Sequence, residues 1–460
     1  MQLVIGIILL VTFFAFIFYA VRGGNMLLGL FAMALIWSAL GAIGGVITWK
    51  TFGGSAGIIQ SGPEGFGPTA VNILFGSWFG RVLIQTGIAR TIIRKAVELG
   101  GDKPALTTVL LCIVVGVIFT ASYGAGAVVA IGVIVFPIML SLGVNKTLAT
   151  GSFVMAVSSG LYFNSALLSQ AKGTMKGEMF TPKVADFNFS TGTWYTFAAI
   201  AMVVSLIAIV LLVLFNTRKS ARVQAWAAPE VDTTTEQKNV SLVACLAPLI
   251  PVALIILGLV VPWFKGQGGF SSILAIIIAV AWALLLTGNM KSWQKVGALV
   301  EKTFLDGTTD VGLVLAFLLF MQMFAKAAGA CSSLLKPIVQ PILPHNAMLL
   351  FLLFGILGFM ALFRGPLTIW GAGTATFAIL AASSLYPLAV LFPLFYVMST
   401  AVNTSVCPTQ SWVSWAIGYN QVSIKDHLLK VLPFALPVCL VLELVAYFFF
   451  HTGVDVPPPA

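Results

Sequence analysis

Blocks of roughly 20 apolar residues, each long enough to cross a bilayer, recur along the chain, and two of them are broken in the middle. The block at 105–142 is interrupted by Ala-Ser-Tyr-Gly-Ala-Gly at 121–126, and the block at 347–385 by Phe-Arg-Gly-Pro-Leu-Thr at 363–368. Ser122 and Arg364 stand 242 residues apart, and the same offset pairs Gly65 with Gly307, Gly87 with Gly329 and Gly116 with Gly358. One such identity is weak evidence in a chain with 44 glycines, but two broken blocks in register are stronger. The pattern predicts two related halves, each organised around a helix break at membrane depth, where transporters place their binding sites.

Read in order, the spans are 3–20, 26–47, 70–87, 148–168 and 193–215, then 242–263, 270–286, 311–328, 388–417 and 431–450. Two of them carry polar interruptions that unwind a helix. One is Ser-Ser-Gly-Leu-Tyr-Phe-Asn-Ser at 158–165; the other is 399–411, where Pro408 removes a donor and clashes with the preceding turn. Each arm of a broken block has roughly 17 residues, about 25 Å at 1.5 Å per residue, a little short of a full crossing. A re-entrant hairpin fits best, since irregular backbone at depth needs protein or water against it; two full crossings are the alternative. The stretch 51–69, rich in Gly, Ser and Pro, reads as a loop, 291–310 as an amphipathic or loop stretch, and 217–240 as a polar linker. The expected architecture is an all-α integral membrane protein, an inverted repeat of about 10 transmembrane helices with two re-entrant or broken hairpins and two discontinuous helices. Its parts are an N-terminal half (1–216, hairpin 105–142), the linker, a C-terminal half (241–451, hairpin 347–385) and a tail (452–460). An odd number of crossings in each half sets the halves in opposite orientations.

Composition fixes the class: 59% of residues are hydrophobic, 8% are charged and the mean hydropathy is +1.05, where a soluble domain has roughly 25% charged residues. The run 3–20 has no basic residue before it and no clear cleavage site, so it counts as a span. With the linker cytoplasmic, fifteen Lys and Arg residues fall in inside loops and seven in outside loops, which obeys the positive-inside rule and puts both termini outside. The cell membrane, with a bacterial inner membrane as the setting, is the expected location. A net charge of +10 spread over loops holds no run dense enough for nucleic acid. Five separated cysteines and three histidines at no metal-ligand spacing point to no disulfide framework, metal or cofactor. Neither a phosphate-binding loop nor a cluster of His, Asp and Cys is present, which argues against a pump or an enzyme.

Arg364 is the most informative residue, because a charge inside an apolar block is costly and its planar guanidinium can hold a carboxylate by two parallel hydrogen bonds. The competing reading is a structural Arg holding helix carbonyls. Ser122, Tyr123, Gly124, Asn164, Ser165, Gly365, Thr368, Asn403, Thr404, Ser405, Thr409 and Gln410 could add hydroxyl, amide and backbone contacts to a substrate, or could merely let helices pack closely. Asp310 and Glu443, with Asn164 and Asn403, are the candidates for a coupling proton or sodium ion; each acid could equally be an interfacial cap. Arg81 and Gln322 read as internal glue. The expected partners are the bilayer, a small organic anion and a second copy of the chain in a homodimer.

The order of hairpin, then broken helix with a polar cluster, repeated once, resembles the ion-transporter superfamily over nearly the whole chain. That superfamily includes the gluconate permeases (GntP), citrate–cation symporters, divalent-anion symporters and arsenite/sodium–proton carriers, and the segment 65–169 is most similar to gluconate-permease or citrate-type carriers. The resemblance implies a secondary carrier working by alternating access on a sugar acid, hydroxy-carboxylate or dicarboxylate. Divalent-anion symporters carry Ser-Asn-Thr at the hairpin tips; here the tips are Ser122-Tyr123-Gly124 and Arg364-Gly365-Pro366, which favours a proton over sodium as the coupling ion. A cation–proton antiporter or a sodium-coupled symporter of the same superfamily is the alternative, although an antiporter would be expected to place carboxylates where this chain has Arg364. An intramembrane enzyme or a channel ranks lower still.

Overall fold

In the computed structural model, described over residues 2–175, 191–217 and 240–451 apart from positions 23, 102, 268, 342, 345 and 384, the described residues form helices and turns, with no strand. The N-terminal elements are α1 (Gln2–Val21), α2 (Met26–Ile43), α3 (Trp49–Gly53), α4 (Ile58–Gly65), α5 (Gly67–Gln85), α6 (Ile88–Gly100), α7 (Pro104–Phe119), α8 (Ala125–Ser141), α9 (Lys146–Leu161), α10 (Ser165–Thr174) and α11 (Thr191–Thr217). After a short 3-10 turn at Ala244–Leu249 come α12 (Ile250–Val260), α13 (Pro262–Gly266), α14 (Ser272–Leu286), α15 (Trp293–Ala330), α16 (Ser332–Val339), α17 (Ala347–Ile356), α18 (Gly373–Ser383), α19 (Leu388–Met398), α20 (Thr404–Val406), α21 (Ser411–Tyr419) and α22 (Ile424–Phe450). The expected linker and tail, and most of the expected loop 171–192, lie outside the described residues.

Polar residues at the helix starts explain many of these boundaries. The side chains of Asn25, Asn145, Asn346, Ser271 and Ser423 accept from backbone N–H groups in the first turns of α2, α9, α17, α14 and α22, satisfying donors that have no partner within the helix. Among the described residues, five helices are long and apolar enough to cross a membrane, and two further pairs are bent: α9 with α10 by 73°, and α17 with the 3-10 stretch Gly358–Arg364 by 60°. This is a multi-pass membrane protein. The two arms α7 and α8 have 16 and 17 residues, so each falls short of the roughly 30 Å hydrocarbon core.

Two local expectations are corrected. The stretch 51–69 is not a loop: it holds most of α3, all of α4 and the start of α5, and a reciprocal Thr48–Thr51 cap opens α3. Nor is 291–310 a separate stretch; it belongs to α15, a single helix of 38 residues. Its Glu, Lys and Asp residues lower hydropathy without lowering helix propensity much. After span three comes the helix α6, where Lys95 donates to Glu98 (2.6 Å) and holds that carboxyl below the ordinary carboxylate range.

The long helix α15 packs against α2, α4 and α5. Ser77 Oγ donates to the Gly307 carbonyl (2.8 Å) and Trp78 Nε1 to Thr303 Oγ1 (3.1 Å). The approach is close because Gly307 has no Cβ; one there would press on the Trp78 backbone at 2.8 Å. Arg81, which the sequence required to snorkel or pair, forms a two-pronged ion pair with Asp310, with Nε–Oδ2 and Nη2–Oδ1 both at 2.5 Å. Elsewhere α9 is buried from Leu148 to Leu161, packed against α7, α11 and α22.

Candidate binding site

The first break spans 120–124, between α7 and α8. Gly124 adopts φ +108°, a conformation only glycine takes readily. Two residues on, a Cβ at Gly126 would overlap the Asp310 carboxylate, so the Gly-Ala-Gly sequence leaves room for the Arg81–Asp310 pair over the start of α8. Asn164 fastens this break from across the bend in the α9–α10 pair. Its amide nitrogen donates to the carbonyls of Phe119 (3.0 Å) and Ser122 (2.9 Å), while its Oδ1 caps α10 at the Leu167 N–H (3.0 Å).

In the second break two consecutive non-glycine residues, Phe363 and Arg364, sit at φ +52° and +55°, which costs roughly 1–2 kcal/mol each. Gly365 is extended, as a residue before proline must be. The strain is held by tertiary bonds: the Phe363 N–H donates to Cys407 Sγ (3.0 Å), and the Ile369 N–H and Thr368 hydroxyl donate to Ser399 Oγ (3.0 and 3.2 Å). Asn403 Nδ2 donates to the Ala361 carbonyl (3.3 Å). Phe119 and Ala361, the carbonyl partners of the two asparagines, stand at the 242-residue offset. Ser158 and Thr400, at that same offset, bond to each other directly, Ser158 Oγ to the Thr400 carbonyl (2.6 Å). The α19–α21 helix is interrupted by a π-helical stretch, Ser399–Asn403, and then at 407–410 around Pro408; π segments of this kind often mark functional positions.

Both breaks and both interrupted helices meet at one cavity of about 290 Å³. Tyr123 enters from the first break, Arg364 and Trp370 from the second, Gln170 and Leu167 from α10, and Thr404, Gln410, Ser411 and Trp412 from the α20–α21 region; α15 adds Leu313, Val314 and Phe317, and the α1–α2 turn adds Asn25 and Leu27. Arg364 is the one charged residue of the lining. Its Nη1 donates to the Trp370 carbonyl (2.7 Å) and its Nη2 to the Thr409 carbonyl (3.4 Å), and its Cζ lies 4.9 Å from the centre of the Phe317 ring. Two of five N–H donors are thus used, and no acid lies within ion-pair distance of it among the described residues. Both carbonyls belong to turns rather than to helix ends, and the guanidinium keeps donors and charge beyond these two bonds. The first turn of α21 also lines the cavity, and a helix N-terminus favours an anion.

Of the residues singled out from sequence, Tyr123, Arg364, Thr404 and Gln410 line the cavity. Tyr123 donates to Gln170 Oε1 (2.5 Å), and the Thr404 hydroxyl bonds to the Thr400 carbonyl (2.8 Å) and Ser158 (3.0 Å). Ser122, Gly124, Asn164, Gly365, Thr368, Asn403, Ser405 and Thr409 stand behind the lining and shape the breaks; Ser165 opens α10. Asp310 is engaged by Arg81, whereas Glu443 is fully buried on α22 with neither carboxyl oxygen hydrogen-bonded. Gln322 is buried in α15. Sequence reading missed Asn25, Gln170, Phe317, Trp370 and Trp412. For Gln170 a signal existed, a polar side chain six residues past a helix cap; the aromatic residues are indistinguishable from lipid-facing ones by pattern alone.

No protein-family model matches the chain, and no curated protein matches it by sequence. Among solved structures it is similar to the Alcanivorax borkumensis YdaH transporter, with a TM-score of 0.62 and 18% identity over 94% of this chain and 99% of that one. At that identity the likeness is one of fold, and it covers nearly the whole of both chains.

Proposed function

We propose that the protein is a secondary active carrier that takes up a small organic carboxylate together with a proton by alternating access. The observation that carries this reading is Arg364, an uncompensated cation in a cavity bounded by both helix breaks. An unpaired charge in such a place is a functional group by default, and a carboxylate is what its remaining donors fit. The two halves act as an inverted repeat about the cavity. Support comes from the matched asparagine-to-carbonyl bonds of Asn164 and Asn403 and from the Ser158–Thr400 bond between residues 242 apart, since equivalent residues touch near a pseudo-two-fold axis.

Glu443 is the proton carrier in this reading. Asp310 already has its counter-charge in Arg81. Glu443 instead lies near Cys439, one turn back on α22, and near Tyr162, whose buried hydroxyl has no partner, and among the described residues no basic group is within ion-pair distance of it. A sodium ion would need several oxygen ligands, whereas a proton needs one carboxyl. In proteoliposomes, an inward proton gradient without sodium is expected to drive accumulation of the carboxylate. Glu443→Gln is expected to abolish that accumulation while leaving carboxylate exchange across the membrane. Uptake that required sodium and ignored the proton gradient would remove the proton assignment; absence of carboxylate movement under every gradient would remove the carrier reading.

A further inference from the structure

The cavity's charge and polarity are unevenly spent, and this narrows the substrate beyond a carboxylate in general. Arg364 is the one charge of the lining, and the backbone of the first turn of α21 adds a helix N-terminus. The remaining wall is mostly apolar, with Leu167, Val314, Phe317 and Trp412 prominent. Some of its polar groups are already engaged: Asn25 Oδ1 caps α2, Gln170 Oε1 accepts from Tyr123, and the Thr404 hydroxyl is bonded to Thr400 and Ser158, while the Trp370 indole N–H has no hydrogen-bond partner and Gln410 and Ser411 add polar side chains. We propose that the occupant is a monocarboxylate with an apolar body, of the size of an aromatic ring or a short alkyl chain. Its carboxylate sits on Arg364 and its body lies against Val314, Phe317 and Trp412.

This deepens the carboxylate reading above and rests on it. A sugar acid would bring four or five hydroxyls against a lining that is mostly apolar, and each hydroxyl left unsatisfied opposes binding. A dicarboxylate would bring a second charge, and the lining holds no second cation for it. An apolar body loses nothing on that wall and gains by leaving water. The volume, about 290 Å³, lies at the small end of ligand pockets.

The test uses full-length protein in lipid nanodiscs, with binding followed by the change in tryptophan fluorescence that Trp370 and Trp412 make available. The probes are benzoate, hexanoate, gluconate, succinate and the neutral benzamide at one pH and ionic strength. Benzoate and hexanoate are expected to bind at least 30-fold more tightly than gluconate, succinate or benzamide. Val314→Thr, which puts a hydroxyl where the body packs and leaves Arg364 in place, is expected to weaken benzoate by roughly 10-fold and to narrow its lead over gluconate. Gluconate or succinate binding as tightly as benzoate would overturn the apolar-body proposal and leave the carboxylate reading standing. Benzamide binding as tightly as benzoate, or no acid binding at all, would overturn both. The wild-type ranking decides the matter even if Val314→Thr fails to fold.

Discussion

Arg364→Ala protein is expected to bind its carboxylate roughly 30-fold to several thousand-fold more weakly than the wild type, the equivalent of about 2–5 kcal/mol for truncating one partner of a buried, hydrogen-bonded charge pair. The loss is large because nothing else on the cavity wall is charged. The guanidinium is also already aimed. The Trp370 and Thr409 carbonyls hold two of its N–H groups and the Phe317 ring lies against its face, so little side-chain entropy is lost when a ligand arrives. Arg364→Lys keeps the charge and loses the planar fork, and its affinity should fall between the two. Arg364→Gln separates anchoring from charge, since its amide can still donate to a carbonyl; it should bind almost as poorly as Arg364→Ala while melting closer to the wild type. The left-handed backbone at 364 costs any of these side chains about the same, so it does not bias the comparison. Titration calorimetry measures the affinities and a thermal melt establishes folding. A folded Arg364→Ala protein with near-normal affinity would falsify the assignment and move the anion site toward the interrupted helices.

The breaks themselves were legible in the sequence because an apolar block tolerates Gly, Pro and hydroxyl residues only where backbone geometry or chemistry demands them. Gly124 at φ +108° and the Gly365-Pro366 pair are such cases. Arg81 was legible as a residue in need of a partner, but the partner lies 229 residues away, and only folding brings it near. The same limit hid most of the cavity wall. Phe317 and Trp412 occupy helices whose apolar faces read as core or lipid contact, and what makes them lining residues is the position of α15 and α21 against the second break. Hydropathy divided 291–310, an amphipathic or loop stretch by pattern, from the span after it, although its charged residues suit a helix well and 293–330 is one helix. At 51–69 the reciprocal cap at Thr48 and Thr51 outweighed the turn-forming composition around it. Glu443 stood out as an acid in an apolar span, yet its lack of any hydrogen-bond partner is a property of the packing of α22 against its neighbours.

The Arg81–Asp310 pair should be worth most to stability of any polar contact between the two halves, and its energetics should be lopsided. Arg81→Leu is expected to destabilise the protein by about 3 kcal/mol, the lower end of the cost of leaving a buried charge unpaired. The lower end applies because the Arg81 side chain is 23% exposed and water already screens part of the interaction. Asp310→Asn should cost less: its partner can turn toward water, whereas the Asp310 side chain, 7% exposed, sits over the start of α8. The double variant Arg81→Leu with Asp310→Asn should recover part of the loss, with a coupling of about 1–3 kcal/mol between the sites. Gly126→Ala carries the same argument to the first break. Its methyl group would overlap the Asp310 carboxylate, and overpacking of that kind costs about 1–3 kcal/mol. In an Asp310→Ala background the overlap is gone, so Gly126→Ala should then cost little, and this dependence on the partner is what a general loss of helix geometry would not produce. Unfolding in denaturant with the protein held in mild detergent measures each term. Arg81→Leu as stable as the wild type, or Gly126→Ala equally costly in both backgrounds, would mean that the ion pair does not hold the first break in place.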